Sequence, residues 1–152
     1  MKIKKFVIKD LDNKKIKIFP KLKLVAVRDL VGDIQHNLDL EFTYMEDGCE
    51  EPFANFTLNF GEFIGVKNCA YVDTNNCWFA DEILKTGVAT DTGLTKHSGF
   101  CKYPLWKFKE EFLETVNKEV YKKYSDEYDE YMKQRMPGEK SFDEMSEESE
   151  EE

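Results

Sequence analysis

The sequence predicts an α+β domain, and two contrasting patterns in the chain indicate that class. Residues 37–45 and 53–60 alternate apolar and polar side chains with a period of two, which is typical of half-buried strands. Residues 109–136 instead repeat apolar side chains at every fourth position, which is typical of a helix. We therefore expect an antiparallel sheet of about five or six strands, one short helix, and a C-terminal helical segment that covers one face.

The domain organisation follows from size and composition. Of the 152 residues, 41% are hydrophobic and 14% aromatic, which is enough for one core and excludes a fully disordered chain. Residues 1–136 are predicted to form a single domain, and the acidic, serine-rich residues 137–152 a disordered tail. No apolar run approaches the roughly 20 residues of a membrane span, and no apolar segment follows the basic N-terminus as in a signal peptide. We therefore expect a cytoplasmic protein.

The chain begins with a predicted lysine-rich β-hairpin at residues 1–19. Its arms, 3–9 and 15–19, mix lysine with β-branched and aromatic side chains, and turn-forming residues occupy 10–13. Residues 22–30 are apolar and are predicted as a separate strand. The two alternating runs then form a second hairpin, because only a short connection containing the turn residues 46–48 separates them.

Shorter elements are predicted in the middle of the chain. Residues 68–72 are a strand, residues 73–76 are a turn that leads into a helix at 78–86, and Gly87 ends that helix. Residues 91–99 are predicted as a polar loop. Residues 100–108 are predicted as the last strand, which Pro104 bends or places at a sheet edge.

The C-terminal segment at 109–136 is predicted as one helix, or as two if Ser125 begins the second. Its apolar stripe runs along one side and consists of Phe112, Val116, Val120, Tyr124 and Tyr128.

Charge is distributed unevenly along the chain, whose overall net charge is −9. Residues 1–23 carry nine lysines and two acids, a net of +7, whereas residues 139–152 carry eight acids and one lysine, a net of −7. The chain between them has twelve bases and twenty-one acids. This asymmetry is informative about partners, provided that the two signs lie on separate surfaces of the fold.

Candidate catalytic and metal-binding residues are few. A zinc site is conceivable at Cys69, Cys77, His97 and Cys101, but the chain lacks the closely paired ligands of structural zinc sites. Nothing in the local sequence marks an activated thiolate, and no glycine-rich phosphate loop is present. We therefore predict no catalytic residues, no metal and no cofactor, and leave open whether these four side chains converge.

Nucleic-acid binding has arguments on both sides. The lysines of the first hairpin suit a phosphate backbone, although lysine on a first hairpin also protects a sheet edge. Most of the remaining chain is acidic and repels nucleic acid, and the only arginines are Arg28 and Arg135.

Motifs in the central part of the chain carry a resemblance to a known family. They comprise VDTNN at residues 72–76, SGFC at 98–101 and YPL at 103–105. In these motifs residues 38–108 resemble an uncharacterised family, a domain of unknown function, of small proteins from bacterial conjugative elements and phages. The resemblance implies a setting on a mobile genetic element. By analogy, small acidic proteins on such elements inhibit host defence systems or assist transfer.

Loop residues within and beside these motifs are the predicted binding site, because loops on a rigid scaffold commonly form binding surfaces. The alternative is that they are turn and capping residues needed for folding. The predicted site residues are Asp73, Thr74, Asn75, Asn76, Ser98, Gly99 and Tyr103.

Two functions are therefore predicted. The first is a non-enzymatic interaction protein that binds, and inhibits, a host protein with a basic surface through its own acidic surface. The alternative is a nucleic-acid-associated accessory factor that uses the lysine-rich hairpin. No membrane partner is expected, and the sequence leaves the oligomeric state open.

Overall fold

Two antiparallel sheets and three helices make up the computed structural model, which describes residues 2–135. The α+β class is confirmed, but the described strands number eight and divide between two sheets. The predicted tail, 137–152, lies outside the described residues. The first sheet has the order β1 (Phe6–Lys9), β2 (Lys15–Arg28), β3 (Ile34–Glu46), β4 (Cys49–Asn55). In the second sheet the order is β5 (Thr57–Leu58), β6 (Cys69–Val72), β8 (Cys101–Phe108), β7 (Ala89–Ser98). The helices are α1 (Ala80–Lys85), α2 (Glu110–Val116) and α3 (Lys118–Arg135).

The predicted lysine-rich hairpin is present as β1 and β2. Its turn is organised by Asp10, whose Oδ1 accepts hydrogen bonds from the backbone N–H groups of Asp12 (2.9 Å) and Lys14 (2.8 Å). The prediction of separate strands at 15–19 and 22–30 was wrong, because β2 continues through Pro20. The last β1–β2 pair is Phe6 with Ile18, so at Pro20 the strand has a neighbour on one side only and tolerates the missing N–H.

The second predicted hairpin is β3 with β4, joined through Asp47 (φ 50°) and Gly48 (φ 78°). Its second arm was predicted at 53–60, but β4 both begins and ends earlier, because the chain crosses to the second sheet after Asn55. At this crossing the Leu40 backbone N–H donates to Thr57 Oγ1 (2.9 Å), and that hydroxyl donates to Asp39 Oδ1 (3.0 Å). These bonds satisfy Thr57 in a buried position, although the alternating pattern had placed it on the polar side.

The second sheet corrects two predictions. Residues 91–99 are not a polar loop, because most of them belong to β7, which shifts register against β8 between Asp91 and Thr95 and accommodates Gly93 at φ 84°. Strand β8 is central rather than at the sheet edge. However, β6 pairs only with residues 105–107 of β8, so Pro104 lies in the half of β8 that has β7 alone as a neighbour.

The helices agree with the predicted segments but not with every boundary. Helix α1 begins two residues later than predicted, and Gly87 follows it at φ 84°. The C-terminal segment is two helices, and the break lies at Asn117 rather than Ser125. Asn117 is extended (φ −159°), and its Oδ1 accepts a hydrogen bond from the Val120 N–H (3.1 Å) as a cap for α3.

The core lies between the two sheets and the helices and is dominated by aromatic rings. Phe42 makes edge contacts with Phe6, Phe56 and Phe79, at ring-centroid distances of 5.7, 5.1 and 5.8 Å. One cluster of buried side chains therefore joins elements from both halves of the chain. Among residues 2–135, no helix combines the length and apolar content needed to cross a bilayer.

Candidate functional site: a lysine face on the first sheet

The predicted site residues of the 73–76 segment form a tight turn after β6. Asp73 is buried, and its carboxylate accepts hydrogen bonds from the backbone N–H (3.2 Å) and the side-chain amide (2.9 Å) of Asn76. Its carbonyl oxygen accepts a hydrogen bond from the Cys77 N–H (2.9 Å). These are the contacts of a turn-forming residue, whereas Thr74, Asn75 and Asn76 are exposed.

The other predicted site residues lie on β7 and β8. Ser98 and Gly99 are at the exposed β7–β8 turn, where Gly99 has φ 60°. Tyr103 is half-buried beside Phe60, at a ring-centroid distance of 5.8 Å. Its pKa is raised by a hydrogen bond to Cys101, by burial and by the nearby charges of Cys101 and Asp73. The antiparallel pairing of β6 with β8 thus brings Tyr103 near Asp73, and a binding role for these residues stays a prediction.

The cysteines and histidines of the described residues do not gather into a metal site. No group of three or more His, Cys, Asp or Glu side chains in residues 2–135 is placed to hold an ion. His97 pairs with Lys102 and Ser98 with Cys101 across the β7–β8 hairpin, so His97 and Cys101 point to opposite faces. Burial, and then the charge of Asp73, raises the pKa of Cys77 to about 12, so this thiol stays protonated at neutral pH.

A different surface, on the outside of the first sheet, concentrates positive charge. Strand β1 alternates buried Phe6 and Ile8 with exposed Val7 and Lys9. On β2, Lys15 and Lys17 are exposed while Ile18 is fully buried. Because side chains alternate across a strand, the exposed set shares one face. We call Lys9, Lys15 and Lys17, together with Val7, the lysine face.

Cross-strand register brings these side chains together. Lys9 lies directly opposite Lys15, and Val7 lies opposite Lys17. Directly opposite side chains in an antiparallel pair have Cβ atoms about 4.5–5.5 Å apart, so like charges there destabilise the sheet. The lysine face is therefore not an arrangement that stability alone would favour.

Strand β2 continues with two further exposed lysines, and each of them forms an ion pair. Lys21 Nζ lies 3.2 Å from Glu50 Oε1 on β4. Lys23 Nζ lies 3.5 Å from Asp39 Oδ2 and 3.6 Å from Glu41 Oε2 on β3, and these carboxylates raise its pKa, Asp39 most. Within residues 2–135, no carboxylate lies within ion-pair distance of Lys9, Lys15 or Lys17.

Comparison with known proteins adds one finding to this geometry. A family model for a domain of unknown function, DUF4313, matches residues 33–134. The chain belongs to the DUF4313 family. The predicted membership of an uncharacterised family is therefore confirmed. No curated protein and no solved structure matches the chain.

The DUF4313 match begins just before β3, so the lysine face precedes the matched region. The matched region instead contains the acidic strand partners of Lys21 and Lys23 and the whole second sheet. The lysine face thus lies outside the segment that the family model matches.

The outer edge of β1 is partly covered by the segment around α1. Trp78 Nε1 donates a hydrogen bond to the carbonyl oxygen of Lys9 (3.3 Å), and Ile83 and Glu82 of α1 line a cavity of about 220 Å³ with β1 residues. Edge protection is the usual structural role of lysines on an outer strand. Since neighbouring residues already shield part of this edge, edge protection accounts for the lysines only in part.

Sequence reasoning located the lysine-rich hairpin but missed two features of the site. The sequence prediction ended a strand before Pro20. It therefore did not recognise that the exposed lysines of this strand continue, at alternate positions, through Lys21 and Lys23. The exposed Trp78 was assigned to a helix, although it precedes α1. The alternating spacing of lysines across Pro20 was the available signal for the first feature, and no local pattern indicated the second.

Proposed function

We propose that this protein binds nucleic acid through the lysine face, as a nucleic-acid-associated accessory factor. The observation that carries this proposal is a row of lysines that have no carboxylate partner within the described residues 2–135, two of which lie directly opposite each other. A bound polyanion removes their mutual repulsion and releases its condensed counterions, which favours binding.

The binding is expected to be largely independent of base sequence. Arginine is the side chain most often used to read guanine, and this chain has two. The guanidinium of Arg28 donates to the carbonyl oxygen of Gly32 (2.7 Å) in its own turn region. Lysines that contact phosphates position a nucleic acid without reading it.

A salt titration of oligonucleotide binding tests the proposal. Fluorescence anisotropy with a labelled oligonucleotide at several salt concentrations gives the slope of log affinity against log salt. Three phosphate contacts predict a slope of about −2 to −3, with similar affinity for unrelated base sequences. An absence of binding at low salt, or a slope near zero, contradicts the proposal.

A second candidate is the binding of a host protein with a basic surface. It is favoured by four exposed carboxylates around the β3–β4 turn, those of Glu46, Asp47, Glu50 and Glu51. Against it, the exposed side of α3 mixes lysines with acids, as in the Lys122–Asp126 pair at 2.6 Å. A pull-down from host lysate with wild-type protein and a Glu46→Lys, Asp47→Lys variant tests it. A partner that is retained only by wild type, and released by salt, is the expected result.

We also propose a genomic and cellular setting for either function. A mobile genetic element of a bacterium, with the protein acting in the cytoplasm on host defence or transfer, fits the motif resemblance. Genes for restriction, defence inhibition or transfer beside the coding sequence are expected, and a housekeeping neighbourhood would contradict this setting.

A further inference from the structure

We propose that Trp78 is a base-stacking residue and that the preferred ligand of the lysine face is single-stranded nucleic acid. This inference rests on the proposed function and narrows it to one class of nucleic acid. It is carried by the exposure of Trp78 and by its hydrogen bond to the main-chain carbonyl of Lys9, the residue whose side chain belongs to the lysine face.

The two tryptophans of the chain have opposite environments. Trp106 is 2% exposed and packs in the core against Phe56, whereas Trp78 is 54% exposed. An exposed tryptophan leaves a large apolar surface in water, which is a feature of binding surfaces rather than of cores. Trp78 is therefore available to a ligand, and Trp106 is not.

The indole of Trp78 is held in place from several directions. Its Nε1 donates to the Lys9 carbonyl oxygen (3.3 Å), and its ring makes edge contacts with Phe53 and Phe79 at centroid distances of 5.9 and 5.3 Å. A ring fixed in this way loses little conformational entropy when a ligand stacks on it. The same hydrogen bond places it at the outer edge of β1, beside the backbone of Lys9.

The combination of charge and apolar surface distinguishes a single strand from a duplex. Apolar side chains are also exposed at this end of the first sheet. They are Val7, which lies opposite Lys17, and Leu11 of the β1–β2 turn, which is 94% exposed. In a duplex the bases are stacked inside and only phosphates meet a flat protein surface. In a single strand each base has a free face that stacks on an aromatic ring while lysines follow the backbone.

An anionic membrane surface is the other ligand that combines negative charge with apolar groups. Asp10 and Asp12 flank Leu11 at the β1–β2 turn, so any insertion of this turn would carry carboxylates towards the lipid. That arrangement opposes membrane insertion and favours nucleic acid. Vesicles therefore enter the experiment as an alternative ligand.

Tryptophan fluorescence and anisotropy of the full chain test the inference together. Wild-type protein is titrated at low salt with single-stranded oligothymidine, with duplex DNA of mixed sequence, and with vesicles containing phosphatidylserine. We expect the single strand to quench Trp78, while buried Trp106 gives a constant background that a Trp78→Phe variant measures directly. Trp78→Ala should weaken single-strand binding about fivefold or more, and Trp78→Phe less, with duplex affinity nearly unchanged.

A matched control is Phe100→Ala, which removes another fully exposed aromatic ring at the distant β7–β8 turn and should leave both affinities unchanged. The Trp78→Phe variant, which keeps an aromatic ring against Phe53 and Phe79, guards against a folding defect in Trp78→Ala. Salt-dependent binding without Trp78 quenching, and with equal affinities for wild type and both Trp78 variants, overturns the stacking role and leaves the proposed function intact. No binding to either nucleic acid overturns both, as does a Trp78 response to vesicles alone.

Discussion

The outer face of β2 carries lysines in two halves, but the charge of their neighbours on adjacent strands differs between the halves. Lys21 and Lys23 of β2 meet carboxylates on β3 and β4, whereas Lys15 of the same strand meets Lys9 on β1. The β2 backbone and the side-chain chemistry are shared, so the neighbouring strand decides whether a lysine is neutralised within the fold. The paired half is neutralised by the sheet itself, whereas the lysines of the other half have no carboxylate partner among residues 2–135 and are accessible to an anion.

The largest expected difference between the halves is in nucleic-acid affinity. A Lys15→Glu, Lys17→Glu variant should bind a single-stranded oligonucleotide at least about tenfold more weakly than wild type at low salt, because two phosphate contacts are lost. Lys21→Glu, Lys23→Glu has the same change in net charge but alters the paired half, so its loss should be much smaller. Anisotropy titrations measure both, and equal losses would show that only net charge matters.

Stability should respond in opposite directions in the two halves. Lys15→Glu places a carboxylate opposite Lys9 and should stabilise the fold by about 0.2–1 kcal/mol, while Lys23→Glu faces Asp39 and Glu41 and should destabilise it by a similar amount. Urea unfolding midpoints measure the difference. Lys17→Glu faces Val7 and serves as the control, with little change expected. Destabilisation by Lys15→Glu as large as that by Lys23→Glu would contradict the account.

The smallest expected effect concerns amine reactivity in the paired half. Asp39, more than Glu41, raises the pKa of Lys23, and only the neutral amine is acylated. Asp39→Asn should therefore lower the pKa of Lys23 and speed its acetylation near neutral pH. Mass spectrometry of partially acetylated protein measures the rate, and Lys15 in the same sample is the internal reference. An unchanged rate at Lys23 would show that the pair does not persist in solution.

The sequence predicted those parts of the fold where one pattern dominates. The period-two run at 37–45 identified β3, in which Leu38, Leu40 and Phe42 are buried. The run at 53–60 was less accurate, because it spans the end of β4 and the crossing to β5 in the second sheet. Pro20 and Gly93 misled the prediction, because proline and glycine usually end strands. Here Pro20 lies where β2 has a single neighbour, and Gly93 lies within the register shift of β7. Both outcomes depend on tertiary pairing that local sequence does not encode.

The candidate site was predictable in its charge and not in its geometry. The net charge of residues 1–23 pointed to the first hairpin. It did not reveal that Lys21 and Lys23 would be neutralised, because that depends on the β2–β3 and β3–β4 registers. Likewise, the approach of Trp78 to Lys9 joins residues that are distant in the sequence.

Chemical-shift mapping of the backbone amides with a single-stranded oligonucleotide tests the central claim most directly. The account predicts that the largest chemical-shift changes at low salt occur at Lys9, Lys15, Lys17 and neighbouring Trp78. The amide signals of Lys21 and Lys23 should change little, and added salt should reverse all of these changes. Shifts centred on the β3–β4 turn or on the β7–β8 turn, or none at all, would contradict it.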